Sequence, residues 1–196
     1  MHFDTARLEA GLGHVRESPS DEGTLGLIVV RPAEGERQVL DEAYVDTGAG
    51  VHGDTWLDRR PNVAKQVTVM NIRAVALIGG ARERWPLAGD QLYVDFDLSG
   101  ANLPPGTQFE VGSAVLEVSV PPHRGCKKFL ARFGDDALSF VNSEEGCALN
   151  LRGINTRVVR SGLVRTGDTI RKLVCPAVAA QGRGPSDLAD AAPPGL

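Results

Sequence analysis

One cysteine of this chain stands in a stretch whose residue types suit thiol chemistry. Cys126 follows His123 and Arg124 and precedes Lys127 and Lys128. A thiol at the start of a helix and beside cationic side chains favours the thiolate, which is the nucleophilic and metal-binding form. A thiolate is also an acceptor of persulfide sulfur and a soft metal ligand. We therefore predict Cys126 as a catalytic residue and a metal ligand, with a buried structural thiol as the plain alternative.

The neighbours of Cys126 have two interpretations each. His123 and Arg124 could orient an oxyanion or favour the thiolate, provided that the turn folds back on the cysteine; His123 is a second catalytic candidate. Lys127 and Lys128 are candidates for contact with a phosphate group, and together with Arg124 they form the first part of a predicted cofactor-binding set. A basic helix end that only faces solvent would have the same sequence. Further candidates for anion binding are Arg59, Arg60 and Arg73, each with a surface charge as the simpler interpretation.

The elements that position Cys126 follow from the surrounding pattern. Residues 114–120 are half alternating and rich in β-branched side chains, which predicts a strand. Pro121-Pro122 cannot continue a sheet ladder, so the chain must leave the sheet there. Residues 126–133 then space their apolar side chains at helical intervals. The cysteine is therefore predicted at the junction of a strand end and a short helix.

A second loop carries further candidates. Residues 46–54 are rich in glycine and end in His52, Gly53 and Asp54. Such a loop can take positive φ values and approach a ligand closely. We predict His52, Gly53 and Asp54 as the second part of the cofactor-binding set, with a tight turn in which Asp54 binds backbone amides as the simpler interpretation.

The composition bounds the class of protein. The chain has 196 residues and a net charge of −4, which favours one ordinary globular domain and gives no reason to expect nucleic acid as a partner. No apolar run approaches the roughly 20 residues that cross a bilayer, and the N-terminus lacks the apolar core of a secretory signal. The three cysteines are widely spaced and form no CxxC pair, which argues against a disulfide scaffold or a structural zinc site. We therefore expect no membrane association and a reducing, cytoplasmic location.

The chain in order reads as many short strands separated by turns about every ten residues, with few helices. This pattern is typical of a β-barrel or sandwich and not of a doubly wound sheet. Residues 1–23 are predicted as one amphipathic helix and a turn, and residues 24–174 as the β domain. Within this domain we predict a strand over residues 38–45 and a turn at Ser161-Gly162. Residues 175–196 are rich in Ala, Gly and Pro, and we expect them to be disordered.

Four stretches in this order resemble the MOSC family, the domain found at the C-terminal end of molybdenum-cofactor sulfurases and as a stand-alone bacterial protein. The loop ending at Asp54 is similar to the family's GxxGD loop, and residues 67–71 to the strand that precedes its helix. Residues 103–129 resemble the strand that leads to the family's cysteine segment, and residues 157–170 the closing strand pair with its xVRxGD turn.

The resemblance implies a mainly β fold, a strongly bent β-barrel of the pyruvate-kinase-barrel-like type with a few short helices. It implies a cleft that holds Cys126 and binds a molybdenum cofactor, with a role in reducing N-hydroxylated compounds or in carrying sulfur. A sulfurtransferase or reductase would then be the protein partner. The chain departs from the family pattern at Thr55 and Trp56, where a basic residue is frequent, and at Asp95, where Asn is frequent; a carboxylate would repel an anionic ligand there.

Two other functions fit the same residues. A non-catalytic barrel could bind a small anion or a protein partner, with Cys126 merely structural. A thiol-dependent enzyme could use a Cys126–His123 pair, which requires the imidazole within hydrogen-bond reach of the sulfur. No lysine stands in a recognisable pyridoxal-phosphate motif, so we expect no desulfurase activity from this chain.

Overall fold

The fold is mainly β. The computed structural model describes residues 2–58 and 61–173. The prediction of disorder for residues 175–196 lies outside the described residues, as do Arg59, Arg60 and Cys175. The strands are β1 Glu22–Val30, β2 Gln38–Leu40, β3 Glu42–Asp46, β4 Gly50–Val51, β5 Val67–Asn71, β6 Leu92–Asp95, β7 Gln108–Val111, β8 Ala114–Val118, β9 Ile154–Arg160, β10 Gly162–Arg165 and β11 Thr169–Leu173. The helices are α1 Thr5–Ala10, α2 Leu12–Arg16, α3 Ile72–Gly79, α4 Lys127–Phe133, α5 Asp135–Asn142 and α6 Glu144–Ala148, with 3-10 turns at Val63–Lys65 and Arg82–Ala88.

Seven strands close into a barrel in the order β1, β11, β7, β8, β9, β5, β6 and back to β1. All pairs are antiparallel except β5 with β6, whose connection passes through α3. Register shifts interrupt β1 between Leu25 and Leu27 and the β8–β9 pair between Val115 and Leu116. Such bulges bend a strand and increase its twist. The bulge in β1 explains how this strand pairs with β11 at one end and with β2 at the other. The predicted bent β-barrel is confirmed.

Alternation along the strands builds two cores. Val69 and Leu92 point into the barrel, whereas their chain neighbours Met70 and Tyr93 point outward into a second core under the helices. This is the period-2 geometry of a strand that is buried on each face. Phe129 and Phe133 of α4, one helical turn apart, pack into the second core. The helix that follows Cys126 is therefore anchored on the outside of the barrel.

Two sequence predictions differ from the structure. The single N-terminal helix is two short helices that meet at Gly11, where a Cβ atom would lie 2.3 Å from Leu77 Cδ1. The strand predicted over 38–45 divides at Asp41, so that β2 extends the barrel sheet and β3 joins β4 and β10 in a separate three-stranded sheet. No helix within residues 2–58 and 61–173 is long and apolar enough to span a membrane.

A side chain at Gly153, at the turn into β9, is expected to lower the stability of the fold. Its φ is +95°, and a Cβ atom there would lie 2.4 Å from the Val69 carbonyl oxygen. Gly167 has a similar φ of +96° but nothing within 4 Å. Gly167→Ala should cost about 1 to 2 kcal/mol from the left-handed backbone alone. Gly153→Ala should cost about 1 to 3 kcal/mol more, because it adds a backbone clash. Urea unfolding of the two variants measures the difference, and equal losses would contradict the clash.

Candidate functional site

Two adjoining pockets form one cleft beside the segment that carries Cys126. Their volumes are about 470 and 580 Å³, within the range of small-molecule sites. Arg31, Thr68, His123 and Cys126 line each of them, and we use "the cleft" for the two pockets that share these four residues. Residues that are distant in sequence therefore meet at one concave surface.

The segment that carries Cys126 has no regular secondary structure between β8 and α4, but it is held at its two ends. Asn155 Nδ2 donates to the Pro121 carbonyl at 3.0 Å, and the Asn142 amide exchanges two hydrogen bonds with the Gly125 backbone. Cys126 is the N-cap residue of α4, and its thiol is free and exposed. The exposure of the thiol does not fit the alternative of a buried structural cysteine.

Arg31 is fixed at the cleft by a buried carboxylate. Its Nε and Nη2 donate to the two oxygens of Asp54 at 2.7 and 2.8 Å, and its Nη1 donates to the Gly89 carbonyl at 3.1 Å. The Asp54 side chain is fully buried and also accepts from the backbone amides of Arg31 and Trp56. Burial lowers the pKa of Arg31, but the hydrogen bond and charge of Asp54 outweigh burial and raise the pKa above its ordinary value. A bidentate pair of this kind presets the orientation of the guanidinium group.

A second buried carboxylate lies behind His123. Asp90 Oδ2 accepts from Arg152 Nη1 at 2.6 Å, and the Arg152 guanidinium also donates to the Ala88 carbonyl and lies over the Phe129 ring. Asp90 Oδ1 is 3.3 Å from His123 Nδ1, yet the two atoms are not aligned as a hydrogen bond, and each is buried without a hydrogen-bond partner. Asp90 and Arg152 are almost fully buried, at 0 % and 6 % side-chain exposure. The cleft wall therefore rests on a charged pair that is nearly inaccessible to water.

The cleft carries an excess of positive charge. Among the described residues that line it, seven are Lys or Arg and one is Glu34. No ion pair of the described residues involves the four lining cations Arg37, Lys65, Arg124 and Arg132. Burial, followed by the charges of Arg132 and Arg31, lowers the pKa of Arg37. A cluster of like charges around Arg37 favours an anionic ligand.

The structure brings some of the predicted residues together and separates others. His123, Arg124, Cys126 and Lys128 line the cleft, and Lys128 also contacts Glu34 at 3.2 Å. Lys127 is exposed at the start of α4 and is not among the lining residues. No hydrogen bond joins Cys126 to His123 within the described residues, and the Cys126–His123 pair stays a prediction.

The glycine-rich loop meets the cleft through Asp54 and not through its tip. His52 is exposed, contacts the Tyr44 ring edge-on at 5.1 Å, and does not line the cleft, and neither does Gly53. Asp54 reaches the cleft only through Arg31. The predicted ligand contact of these three residues stays a prediction, and the contact that the structure gives Asp54 is with a cation.

Asp95, the position at which the chain departs from the family pattern, is neutralised. Arg73 Nε and Nη2 donate to its two oxygens at 2.7 and 3.1 Å, and neither residue lines the cleft. The repulsion that a carboxylate would exert on an anion is therefore compensated. Arg73, a surface candidate for anion binding in the sequence, is engaged by this pair.

Sequence reasoning missed Arg31, Asp90 and Arg152. Each had a signal: Arg31 ends an apolar strand, Asp90 follows a turn glycine, and Arg152 interrupts an apolar run before Gly153. A charged residue inside an apolar run indicates a buried pair, because an unpaired charge is costly there. The partner could not be identified, since Asp90 lies 62 residues from Arg152. Among the described residues, no group of three or more His, Cys, Asp or Glu side chains could hold a metal ion.

His123 makes the stability of the fold sensitive to acid. Burial, followed by the charge of Arg152, lowers its pKa to about 4; Lys65 and Arg31 act in the same direction and Asp90 opposes them. The unfolded chain, with an ordinary pKa of 6.5, binds a proton at a higher pH than the folded chain. The contribution of His123 is therefore complete above pH 6.5 and is lost as the pH falls towards 4, by up to about 3 kcal/mol.

Urea unfolding at about pH 7.5, 5.5 and 4.5 measures this dependence in the wild type and in His123→Gln, whose amide does not titrate. We expect the variant to lose less stability than the wild type over this interval. The same pH slope in the two proteins would show that His123 does not titrate as its surroundings require.

The fold and the cleft define the class of protein: a bent, closed β-barrel with an exposed thiol in a cationic cleft. A family profile described as the MOSC domain matches residues 52–171, and the chain belongs to this family. The sequence matches no curated protein at a significant level.

Solved structures share the fold. YuaD from Bacillus subtilis is 19% identical with a TM-score of 0.53, over 76% of this chain and 94% of YuaD. YiiM from Geobacillus stearothermophilus is 14% identical with a TM-score of 0.54, over 78% of this chain and 75% of that one. YiiM from Escherichia coli is 18% identical with a TM-score of 0.52, over 78% and 70%. At these identities the likeness concerns the fold alone.

Proposed function

We propose that this chain binds a molybdenum cofactor in the cleft and that Cys126 is the protein ligand of the metal. The observation that carries the proposal is the free, exposed thiol of Cys126 in a cleft where lysine and arginine side chains outnumber carboxylates. Thiolate is a soft ligand, and a cationic wall suits a ligand that carries phosphate. The two properties occur together at one surface.

The residues present fit such a group. Among the described residues, the cleft lining supplies one thiol, that of Cys126, and no group of three or more side chains that could hold a metal ion, so the metal would need further ligands from a cofactor. His123 and Arg152 line the cleft, and His123 Nδ1 and Arg152 Nε are buried polar atoms without hydrogen-bond partners. Arg31 and Arg152 are oriented in advance by Asp54 and Asp90. Preset charged donors bind an anion without a cost of reorganisation.

Each side chain then has a defined task. When bound, the cofactor would supply two-electron redox chemistry at molybdenum, such as the reduction of an N-hydroxylated compound. Arg31, Arg37 and Arg132 would hold the anionic part of the cofactor by charge. Thr68 is itself fixed, since its hydroxyl donates to Gln91 Oε1 at 2.6 Å. His123, which is neutral near pH 7, adds no positive charge to the wall.

Sulfur carriage is the second candidate, and the exposure of Cys126 favours it. A thiol at the surface is accessible to a donor protein such as a sulfurtransferase. In this reaction the Cys126 thiolate attacks the outer sulfur of a donor persulfide. The new bond joins Cys126 Sγ to that sulfur, the S–S bond of the donor breaks, and the donor leaves as a thiolate. The product is a persulfide on Cys126.

Metal and persulfide analysis of the wild-type protein tests the proposal. The protein is purified from a host that makes the molybdenum cofactor, and its molybdenum content and intact mass are measured. We expect molybdenum in near one-to-one ratio, or, for sulfur carriage, a mass increase of one sulfur atom that a reductant removes. Protein with neither, also after exposure to a sulfurtransferase with its sulfur donor, would contradict the proposal.

A non-catalytic anion-binding barrel is the alternative, and it is favoured by the four lining cations that make no ion pair with any residue the structure describes. Binding of inorganic phosphate to the wild type and to Cys126→Ser separates the two functions. A purely anion-binding barrel would bind phosphate equally well in the two proteins and would contain no molybdenum. Alkylation of Cys126 no faster than that of a free model thiol would support this alternative.

A further inference from the structure

Gly125, the residue before Cys126, lies against the last turn of α5. A Cβ atom at Gly125 would lie 2.7 Å from Leu138 Cδ1 and 3.0 Å from Val141 Cγ2, so a side chain here would have to displace them. Glycine permits this close approach, but it also leaves the backbone free to rotate, because no Cβ atom restricts its torsion angles. The chain is therefore most flexible at the residue that joins the segment to the cysteine.

The side-chain amide of Asn142, the last residue of α5, supplies the missing restraint. Its Oδ1 accepts from the Gly125 nitrogen at 3.0 Å, and its Nδ2 donates to the Gly125 carbonyl at 3.3 Å. An amide can do both, whereas a carboxylate only accepts and an ammonium group only donates. Although Asn142 is an exposed residue, its amide is committed to this one glycine.

The restraint passes directly to Cys126. The Gly125 carbonyl belongs to the planar peptide group that ends at the Cys126 nitrogen, so a fixed carbonyl fixes that plane. On the other side, the Cys126 carbonyl accepts from the Leu130 nitrogen at 2.9 Å, in the first turn of α4. The Cys126 side chain makes no capping hydrogen bond of its own. The direction of the thiol therefore depends on the backbone that these two contacts hold.

The direction of the thiol decides which charges it meets. Cys126 lines each pocket of the cleft, one with Arg37 and Arg132 and the other with Lys65 and Arg124. The field of exposed charges is screened over about 8 to 10 Å in physiological salt. A thiol that turned away from the cleft into solvent would therefore lose much of this field.

We propose that Asn142 is a positioning residue for Cys126, because its amide holds Gly125 against α5 and so keeps the thiol directed at the cations of the cleft. The inference rests on the proposed function, since it names the residue that presents the thiol to the ligand of that site. Asn142 does not line the cleft, so it acts through the backbone of Gly125 and not by touching a ligand.

Competition between iodoacetate and iodoacetamide measures the charge that the thiol meets. The thiolate displaces iodide from the same carbon in each reagent, but iodoacetate is an anion and iodoacetamide is neutral. Protein from a host that makes no molybdenum cofactor is used, and the two products at Cys126 are quantified by peptide mass spectrometry. For the wild type we expect a preference for iodoacetate at least about fivefold above that of a free model thiol. The preference should fall as salt is added.

Two variants of Asn142 remove the restraint. Asn142→Ala loses the two hydrogen bonds, and α5 should persist because alanine is a strong helix former. Asn142→Leu loses the same bonds but keeps a side chain of similar size. We expect each variant to lower the preference for iodoacetate at least about threefold and to make it less sensitive to salt.

Asn102→Ala is the matched control. The Asn102 amide donates to the Ser20 and Asp97 carbonyls, and Asn102 does not line the cleft. Its replacement also removes two hydrogen bonds between an amide and backbone carbonyls, but it leaves Gly125 and Cys126 in place. We expect the wild-type preference for iodoacetate in this variant, even where urea unfolding shows a loss of stability.

The proposal is overturned if folded Asn142→Ala and Asn142→Leu keep the wild-type preference, or if the wild type shows no more preference than the model thiol. It is also overturned if Asn102→Ala loses the preference to the same extent, because the effect would then follow stability. None of these measurements needs the metal, so their failure is distinct from failure of the proposed function. The expected preference in a protein that binds no molybdenum would keep this inference and reject the cofactor.

Discussion

Replacing Asp90 with alanine is expected to destabilise the fold by about 3 to 5 kcal/mol, because the charge of Arg152 would stay buried without a carboxylate. Arg152 Nη1 lies 2.6 Å from Asp90 Oδ2, and the two side chains are almost inaccessible to water. Their attraction is not screened, and Arg152 cannot easily reach solvent while it lies over Phe129. Urea unfolding of the wild type and Asp90→Ala measures the loss.

Two controls separate this charge effect from a general effect of the substitution. Glu42→Ala removes the carboxylate of an exposed pair with Arg165 and should cost less than about 1 kcal/mol. The double variant Asp90→Leu with Arg152→Met replaces the pair with apolar side chains and should lose much less stability than Asp90→Ala. If the double variant is as unstable as Asp90→Ala, the buried charge is not the cause of the loss.

Replacing Cys126 with serine is expected to lower the molybdenum content of protein from a cofactor-producing host at least about tenfold. A hydroxyl is a hard and weakly acidic group, so it does not substitute for a thiolate at a soft metal. The fold should be unaffected, because Cys126 is exposed and its side chain makes no capping hydrogen bond to α4. Metal analysis together with urea unfolding distinguishes loss of the ligand from loss of structure.

The matched control is Cys147→Ser. Cys147 is the other free cysteine within the described residues; it is half-buried, and its thiol donates weakly to the Asn142 carbonyl. It does not line the cleft, so its replacement should leave the molybdenum content unchanged. Equal molybdenum content in Cys126→Ser and Cys147→Ser would mean that the metal, if bound, is held elsewhere.

The sequence predicted those structural elements that depend on interactions between residues close together in the chain. The strand before Pro121-Pro122 and the helix after Cys126 were predicted because their patterns are confined to a few neighbouring residues. The position of Cys126 between them follows directly. By contrast, the Arg31–Asp54 pair joins residues 23 apart in the chain. The barrel must close before these residues meet, so a pattern in one segment does not contain their contact.

Gly162 shows that a glycine in the sequence can have more than one structural cause. The sequence predicts a turn at residues 161–162, but Gly162 begins β10. A Cβ atom at Gly162 would lie 2.3 Å from the carbonyl carbon of Ser113. The glycine is required there because two backbones approach closely and not because the chain reverses. Only the neighbouring strand distinguishes these two reasons.

X-ray absorption at the molybdenum edge of protein that carries selenocysteine in place of Cys126 alone tests the central claim most directly. Selenium at this position is a heavy scatterer that marks the single side chain proposed as the ligand. The account predicts a selenium neighbour in the first coordination shell of molybdenum. Bound molybdenum without a selenium neighbour, or protein from a cofactor-producing host that contains no molybdenum, would contradict it.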